Sequence, residues 1–159
     1  MRICLDGRTA LVTGGSSGIG EACVRLLRQA GADVAFTFNR NRAHARRVAQ
    51  DTGARALACE VTEEPACREA VAGAAGTAAR LDILVNNAGV YESAAADSRS
   101  FLDVWRRVLA VNLDACARFI HLALPFMKEG GKIVNISSIH AADGSTNAAA
   151  YHASKAGLD

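Results

Sequence analysis

Tyr151 and Lys155 stand four residues apart in the run Tyr151-His152-Ala153-Ser154-Lys155. On a helix that spacing puts both side chains on one face, so an ammonium can sit beside a phenol. A nearby fixed positive charge favours the phenolate, which prepares the tyrosine to give or take a proton near neutral pH. A lone Tyr-Lys pair is also common on ordinary helix surfaces, so other residues must decide. Upstream, the apolar run Ala10-Leu11-Val12 enters Thr13-Gly14-Gly15-Ser16-Ser17-Gly18-Ile19-Gly20. Glycines at 14, 18 and 20 remove the side chains that would block a pyrophosphate, and a helix starting there points free N–H groups at the anion. The spacing is G-x-x-x-G-x-G rather than G-x-G-x-x-G, and it also suits a plain Gly/Ser-rich strand-to-helix turn.

Two further blocks lie between these, Asn86-Asn87-Ala88-Gly89 and Asn135-Ile136-Ser137-Ser138. In this order and at these separations the four blocks resemble the short-chain dehydrogenase/reductase family, and the resemblance runs from the first residues to the last. Among its members the chain is similar to 3-oxoacyl-thioester reductases and sugar dehydrogenases. The resemblance implies an oxidoreductase that passes hydride between a nicotinamide and a carbonyl or secondary alcohol carbon. It assigns Tyr151 as proton donor or acceptor, Lys155 to the tyrosine and the nicotinamide ribose, and Ser138 to the substrate oxygen. Ser137 is the less suitable of the serine pair, and a Ser-Ser pair at a strand end is often turn chemistry alone. Asn112, which has no propensity advantage inside a helix, matches the family asparagine of the proton relay behind the lysine. A hydrogen-bonded packing residue is its other reading.

For the cofactor, the resemblance points to Gly14, Ser16, Ser17, Gly18, Ile19 and Gly20, to Asn87, Ala88 and Gly89, and to Tyr151 and Lys155. Glu60-Val61 stands where relatives usually carry Asp-Val beside the adenine. An NAD enzyme places an acid at the end of the second strand, on the ribose 2′-hydroxyl. Here that position is Phe38, followed by Asn39, Arg40 and Arg42. A guanidinium binds a phosphate through two hydrogen bonds, so NADP(H) is expected over NAD(H), with Arg40 and Asn39 at the 2′-phosphate and Ser16 assisting. Arg42, Arg46 and Arg47 also suit a solvated first turn of helix.

These residues need a scaffold that brings them to one edge. Short apolar runs at 9–13, 33–38, 55–59, 82–86 and 132–137 alternate with helix-patterned segments at 18–30, 42–52, 63–79 and 100–128, and a last helix begins near Tyr151. That alternation predicts an α/β fold, a Rossmann-like doubly wound parallel sheet of order 3-2-1-4-5, with the motifs at the carboxyl ends of the strands. Residues 1–159 are expected to form one NAD(P)-binding domain, incomplete at its C-terminus because family members continue past the Tyr-Lys helix with further strands. A truncated, catalytically silent nucleotide-binding fragment is therefore the alternative reading. Strand 132–137 would be a sheet edge, prone to association. The extended epimerase and dehydratase relatives use another glycine spacing and a longer chain. The helix 100–128 is apolar on more than one stripe, which suits either a partner subunit's cover or a merely well-buried helix; the family resemblance implies a homo-oligomer joined through it and the helix from 151 onward.

Composition narrows the rest. With 159 residues, 50% hydrophobic, and a net charge of +2 on interspersed acids and bases, the chain carries no basic arm for nucleic acid or membrane surface. No segment is expected to approach the length of uncharged apolar chain that spans a bilayer, and Asp6 and Arg8 interrupt any signal-like region. Cys4, Cys23, Cys59, Cys67 and Cys116 show no C-x-x-C spacing and suit core thiols of a reducing cytoplasm. His44, His121, His140 and His152 show no metal-ligand spacing and read as surface or packing histidines; contact with a small-molecule carbonyl or alcohol substrate is the lesser reading for His140, close behind Ser138.

Overall fold

The computed structural model describes residues 3–159. Five parallel strands, β1 (Thr9–Val12), β2 (Asp33–Phe38), β3 (Arg55–Ala58), β4 (Ile83–Asn86) and β5 (Lys132–Asn135), form one sheet in the order β3-β2-β1-β4-β5. This is the expected doubly wound order. Alternate residues serve opposite faces, as strand geometry requires. Leu11, Ala35 and Leu84 face a core with α3 (Glu64–Ala75) and α5 (Ala115–Ala123). Ala10, Val12, Val34, Phe36 and Val85 face the other core, which α1 (Gly18–Gln29) and α2 (Arg42–Thr52) cover.

Register decides where the chain ends of the strands meet. Val12 lies opposite both Phe36 and Val85, and Asn86 lies opposite Asn135. The segments that follow β1, β2, β4 and β5 therefore emerge side by side. At the opposite end Asp82 fastens the sheet, accepting from the Thr9 N–H at 3.0 Å, from Arg8 at 2.9 Å and from Arg80 at 2.6 Å. Burial of this carboxyl pushes its pKa up, but the Arg80 guanidinium, the Thr9 N–H and Arg8 outweigh it and hold the group below the ordinary carboxylate range.

The helical run expected over 100–128 is interrupted. It comprises α4 (Phe101–Leu109), a π turn at Ala110–Asp114, α5 and a 3₁₀ turn at Leu124–Phe126, where Pro125 supplies no N–H to continue an α-helix. Taken together, Phe101–Phe126 is 26 residues long and apolar enough, by length and composition, to cross a membrane. The run carries Asp103, Arg106, Arg107, Asp114 and Arg118, so it is not an uncharged apolar segment of the kind expected to be absent. Here its inner face packs on the sheet through Ala115, Phe119, Leu122 and Ala123.

Other boundaries also move. The helix expected over 63–79 stops at Ala75, because Gly76 adopts φ +60° and Ala79 φ +47°. The last strand ends at Asn135 instead of 137, and the final helix, α6 (Ala149–Ala156), starts two residues before Tyr151. β5 is an outer strand, as is β3, and its Ile133 and Val134 are 37% and 45% exposed. Cys59, Cys67 and Cys116 are buried, whereas Cys4 is exposed and Cys23 half-buried, so burial does not hold for every thiol; all five are free.

Candidate active site

The turn after β1 is held from three sides. Its first glycine, Gly14, has φ +65°, and a Cβ there would stand 3.0 Å from the Ala88 Cα. The Gly14 N–H donates to Thr37 Oγ1 at 3.1 Å, and the Gly15 N–H donates to the Thr37 carbonyl at 2.9 Å. Thr13 Oγ1 accepts from the N–H groups of Asn87 and Ala88, each at 3.0 Å. In return the Asn87 amide donates to the carbonyls of Thr13 at 2.9 Å and Gly14 at 3.1 Å. The block after β4 is thus locked to the glycine turn.

Gly20 packs under that lock, where a Cβ would collide with the Gly14 carbonyl oxygen and the Asn87 amide. The first turn of α1 is then free to face outward. Ser17 is its N-cap in extended conformation and makes no side-chain cap bond, so the first N–H groups of the helix remain available to an anion.

A cleft of about 710 Å³ opens above these residues. Gly14, Ser16, Ser17 and Ile19 line it from the turn, Asn39 and Arg40 from the end of β2, Glu60 and Val61 from the end of β3, and Asn87, Ala88 and Gly89 from the end of β4. Gly18 and Gly20 shape the turn without lining the cleft. Arg40 reaches it while Arg42 does not, which separates the two arginines that the sequence leaves side by side. Asn39 donates to Glu60 Oε2 at 2.5 Å, and Glu60 Oε1 accepts from the Thr62 N–H at 3.4 Å. Glu60 therefore meets its own neighbours on both oxygens.

Tyr151 and Lys155 lie beyond the cleft lining, on α6. Lys155 is only 6% exposed, donates to the Ile136 carbonyl at 2.6 Å and stands 5.8 Å from the centre of the Tyr151 ring. Among the described residues it has no carboxylate partner. Ser137 donates to the Lys155 carbonyl at 3.2 Å and so ties α6 to the end of β5. Ser138 stays free of that duty; its Oγ accepts the His140 N–H at 3.2 Å.

Asn112 joins the two halves. It is fully buried in the π turn, a local widening often found at functional sites. Its Oδ1 accepts from the Val90 N–H at 2.8 Å, and its Nδ2 donates to the Val90 carbonyl at 3.0 Å and to Ser154 Oγ at 3.1 Å. Val90 lines the cleft and packs with Tyr151 around Val104, Val108 and Ala150. The tyrosine end of α6 is therefore placed against the Val90 end of the cleft.

Sequence reasoning missed Thr13, Thr37 and Gly15. A threonine closing an apolar run reads as strand, and only the paired register shows its hydroxyl oxygen accepting from two N–H groups of the segment after β4. Gly15 is required because a Cβ would stand 2.5 Å from the Phe36 Cβ. Glu92 and Arg107, also unremarked, line the rim and pair at 2.8 and 2.5 Å, which holds the Glu92 carboxyl below its ordinary range. The four histidines form no metal-binding group among the described residues.

The family model for short chain dehydrogenase matches residues 8–159. Acetoacetyl-CoA reductase of Shinella zoogloeoides is 37% identical over 152 residues, covering 94% of this chain and 63% of that protein. A 2-dehydro-3-deoxy-L-rhamnonate dehydrogenase (NAD(+)) of a Sphingomonas strain is 33% identical, covering 96% of this chain and 62% of its own length. The chain thus spans a little under two thirds of the length of these relatives. Among solved structures, a short chain dehydrogenase from Burkholderia cenocepacia in complex with NADP superposes with a TM-score of 0.91 at 38% identity, over 97% of this chain and 65% of that one.

Proposed function

This chain belongs to the short-chain dehydrogenase family, and from that premise we propose that it is an NADP(H)-dependent oxidoreductase acting on a carbonyl or secondary alcohol. The observation that carries the reading is the buried Lys155 ammonium, 5.8 Å from the centre of the Tyr151 ring, on the helix that packs against the Val90 end of a glycine-floored cleft. The residues fit the nucleotide: the uncapped start of α1 suits its diphosphate, and only glycine leaves room at positions 14 and 20. When bound, the nicotinamide supplies or accepts the hydride. Tyr151 gives a proton to the carbonyl oxygen in reduction and takes one from the alcohol in oxidation. Lys155 stabilises negative charge on that phenol and holds its place through Ile136, while Ser138 orients the substrate oxygen. Asn112 acts at one remove, fixing Val90 and α6 relative to each other.

Preference for NADP(H) is supported by Phe38 in place of an acid and by the exposed Arg40 on the cleft, whose guanidinium has no partner among the described residues. Asn39, beside Arg40 on the cleft, holds the nearby Glu60 carboxylate in a hydrogen bond. Substrates are small oxygenated molecules, in the range between 3-oxoacyl thioesters and sugar-like alcohols that the relatives' names span. Leu102 and Leu124, 56% and 55% exposed on the 101–126 helical run, favour a homo-oligomer joined there. The free thiols favour a reducing cytoplasm.

The test is nucleotide oxidation by the purified chain with NADPH and either acetoacetyl-CoA or an α-hydroxyketone. Turnover that Tyr151→Phe lowers by about 10²-fold or more, with NADPH affinity kept, supports the reading. Turnover unchanged by Tyr151→Phe, or NADPH binding without turnover, contradicts it; the latter result is that of a silent nucleotide-binding module.

A further inference from the structure

The cleft has a far end that the reaction itself does not use. In the order β3-β2-β1-β4-β5 the glycine turn after β1 is central, and α6 with Tyr151 is tied to the end of β5 through Ser137. Arg40 stands on the other side, at the end of β2. A dinucleotide with its nicotinamide near Tyr151 and its 2′-phosphate on Arg40 carries its adenine, bonded to that same ribose, onward to the end of β3. There Cys59, Val61 and Thr62 line the cleft, and Val111 lines it from the π turn of the helical run. Val61 and Val111 both pack on the core beneath, so they are apolar walls on a firm floor.

What holds the Val61 wall is a side chain from outside the cleft. The turn after β3 closes with the Glu63 N–H donating to the Glu60 carbonyl at 3.0 Å. The Val61 carbonyl is taken instead by two side chains from different helices: Arg118 Nη1 of α5 donates to it at 2.8 Å and Cys67 Sγ of α3 at 3.3 Å. A thiol is a weak donor and a guanidinium a strong, charged one, so Arg118 is the main tie. Arg118 and Val111 ride on the same helical run. The Arg118 bond therefore fixes the Val61 wall against the run that bears the Val111 wall, and sets the width of the slot between them.

Resting on the oxidoreductase reading and its NADP(H) preference, we propose that Arg118 is a positioning residue for the adenine end of the cofactor, holding Val61 and Val111 at the spacing that grips a planar base. Arg118 does not line the cleft; it acts through the Val61 carbonyl. Without the guanidinium the turn keeps only the thiol bond, the slot slackens and the base loses its packing, while the nicotinamide end keeps its own contacts.

Saturation-transfer NMR of NADP⁺ on the unmodified chain, Arg118→Met and Arg118→Lys reads both ends of one ligand at once, and fluorescence titration with NADPH gives the affinity. Methionine keeps an apolar stem without a donor, and lysine restores a charged donor. Arg118→Met is expected to weaken NADPH binding by about tenfold. Saturation on the adenine protons should fall while that on the nicotinamide protons persists, and lysine should restore both readouts in part. Val111→Ala retracts the opposite wall with the Arg118 bond intact and should give the same adenine-selective loss, whatever the folding of Arg118→Met. Equal loss at both ends of the ligand in Arg118→Met, or affinity and saturation unchanged in Arg118→Met and Val111→Ala, overturns the proposal while the cofactor reading stands. An unmodified chain that binds no NADPH overturns the cofactor reading, and the proposal with it.

Discussion

The Lys155 ammonium lies 5.8 Å from the centre of the Tyr151 ring and is anchored to the Ile136 carbonyl at 2.6 Å, 94% hidden from solvent and without a carboxylate partner among the described residues. A buried unpaired cation is expensive to the fold. Its retention beside a phenol is what the proposed catalytic role of that charge requires.

Lys155→Met tests this on two axes. Removing the ammonium and keeping an apolar stem is expected to lower turnover by about 10²–10⁴-fold and to weaken NADPH binding, while Tm holds or rises. A thermal melt that falls sharply would instead assign Lys155 a structural role.

Two glycines of the β1–α1 turn should respond differently to alanine. Gly20→Ala drives a Cβ into the Gly14 carbonyl and the Asn87 amide, and is expected to destabilise by about 1–3 kcal/mol and to abolish nucleotide binding. Gly18→Ala meets open space and carries only the strain of φ +54°, about 1–2 kcal/mol. Chemical denaturation and NADPH titration of the two variants check the contrast.

These contrasts show where sequence reading reaches its limit. Strand order was legible, and so was the position at strand ends of the glycine turn, Asn86–Gly89 and Asn135–Ser138, because apolar runs and glycine turns carry local signals; the Tyr-Lys pair lies instead within α6. The π turn that buries Asn112 was not, since it arises from the fit of Asn112 to Val90 and Ser154, residues 22 and 42 positions away in sequence. The same holds for Thr13, whose hydroxyl acts on N–H groups 74 and 75 positions on. Arg40 was already preferred to Arg42 in sequence, and the exit direction of β2 puts Arg40, not Arg42, on the cleft. The end of the helix at Ala75 was hidden because the run to 79 holds helix-forming alanines.

Acid should loosen the far end of the sheet. Asp82 titrates lower in the folded chain than unfolded, so its contribution is present above the ordinary carboxylate range and is lost as pH falls through its lowered folded value. Asp82→Asn is expected to reduce stability at neutral pH by about 1–3 kcal/mol, with the difference from the parent chain shrinking on acidification. Thermal melts of both chains across an acid pH series check the sign. A gap that widens toward low pH would contradict it.

The central claim is that the cleft over the glycine turn holds NADP(H) and that Arg40 selects it. The most direct measurement is titration of the purified chain, and of Arg40→Ala, with NADPH and with NADH by nucleotide fluorescence. The account predicts saturable binding that favours NADPH by at least about tenfold, with that preference lost in Arg40→Ala and NADH affinity unchanged. Binding of neither nucleotide, or equal binding of both that Arg40→Ala leaves untouched, would contradict it.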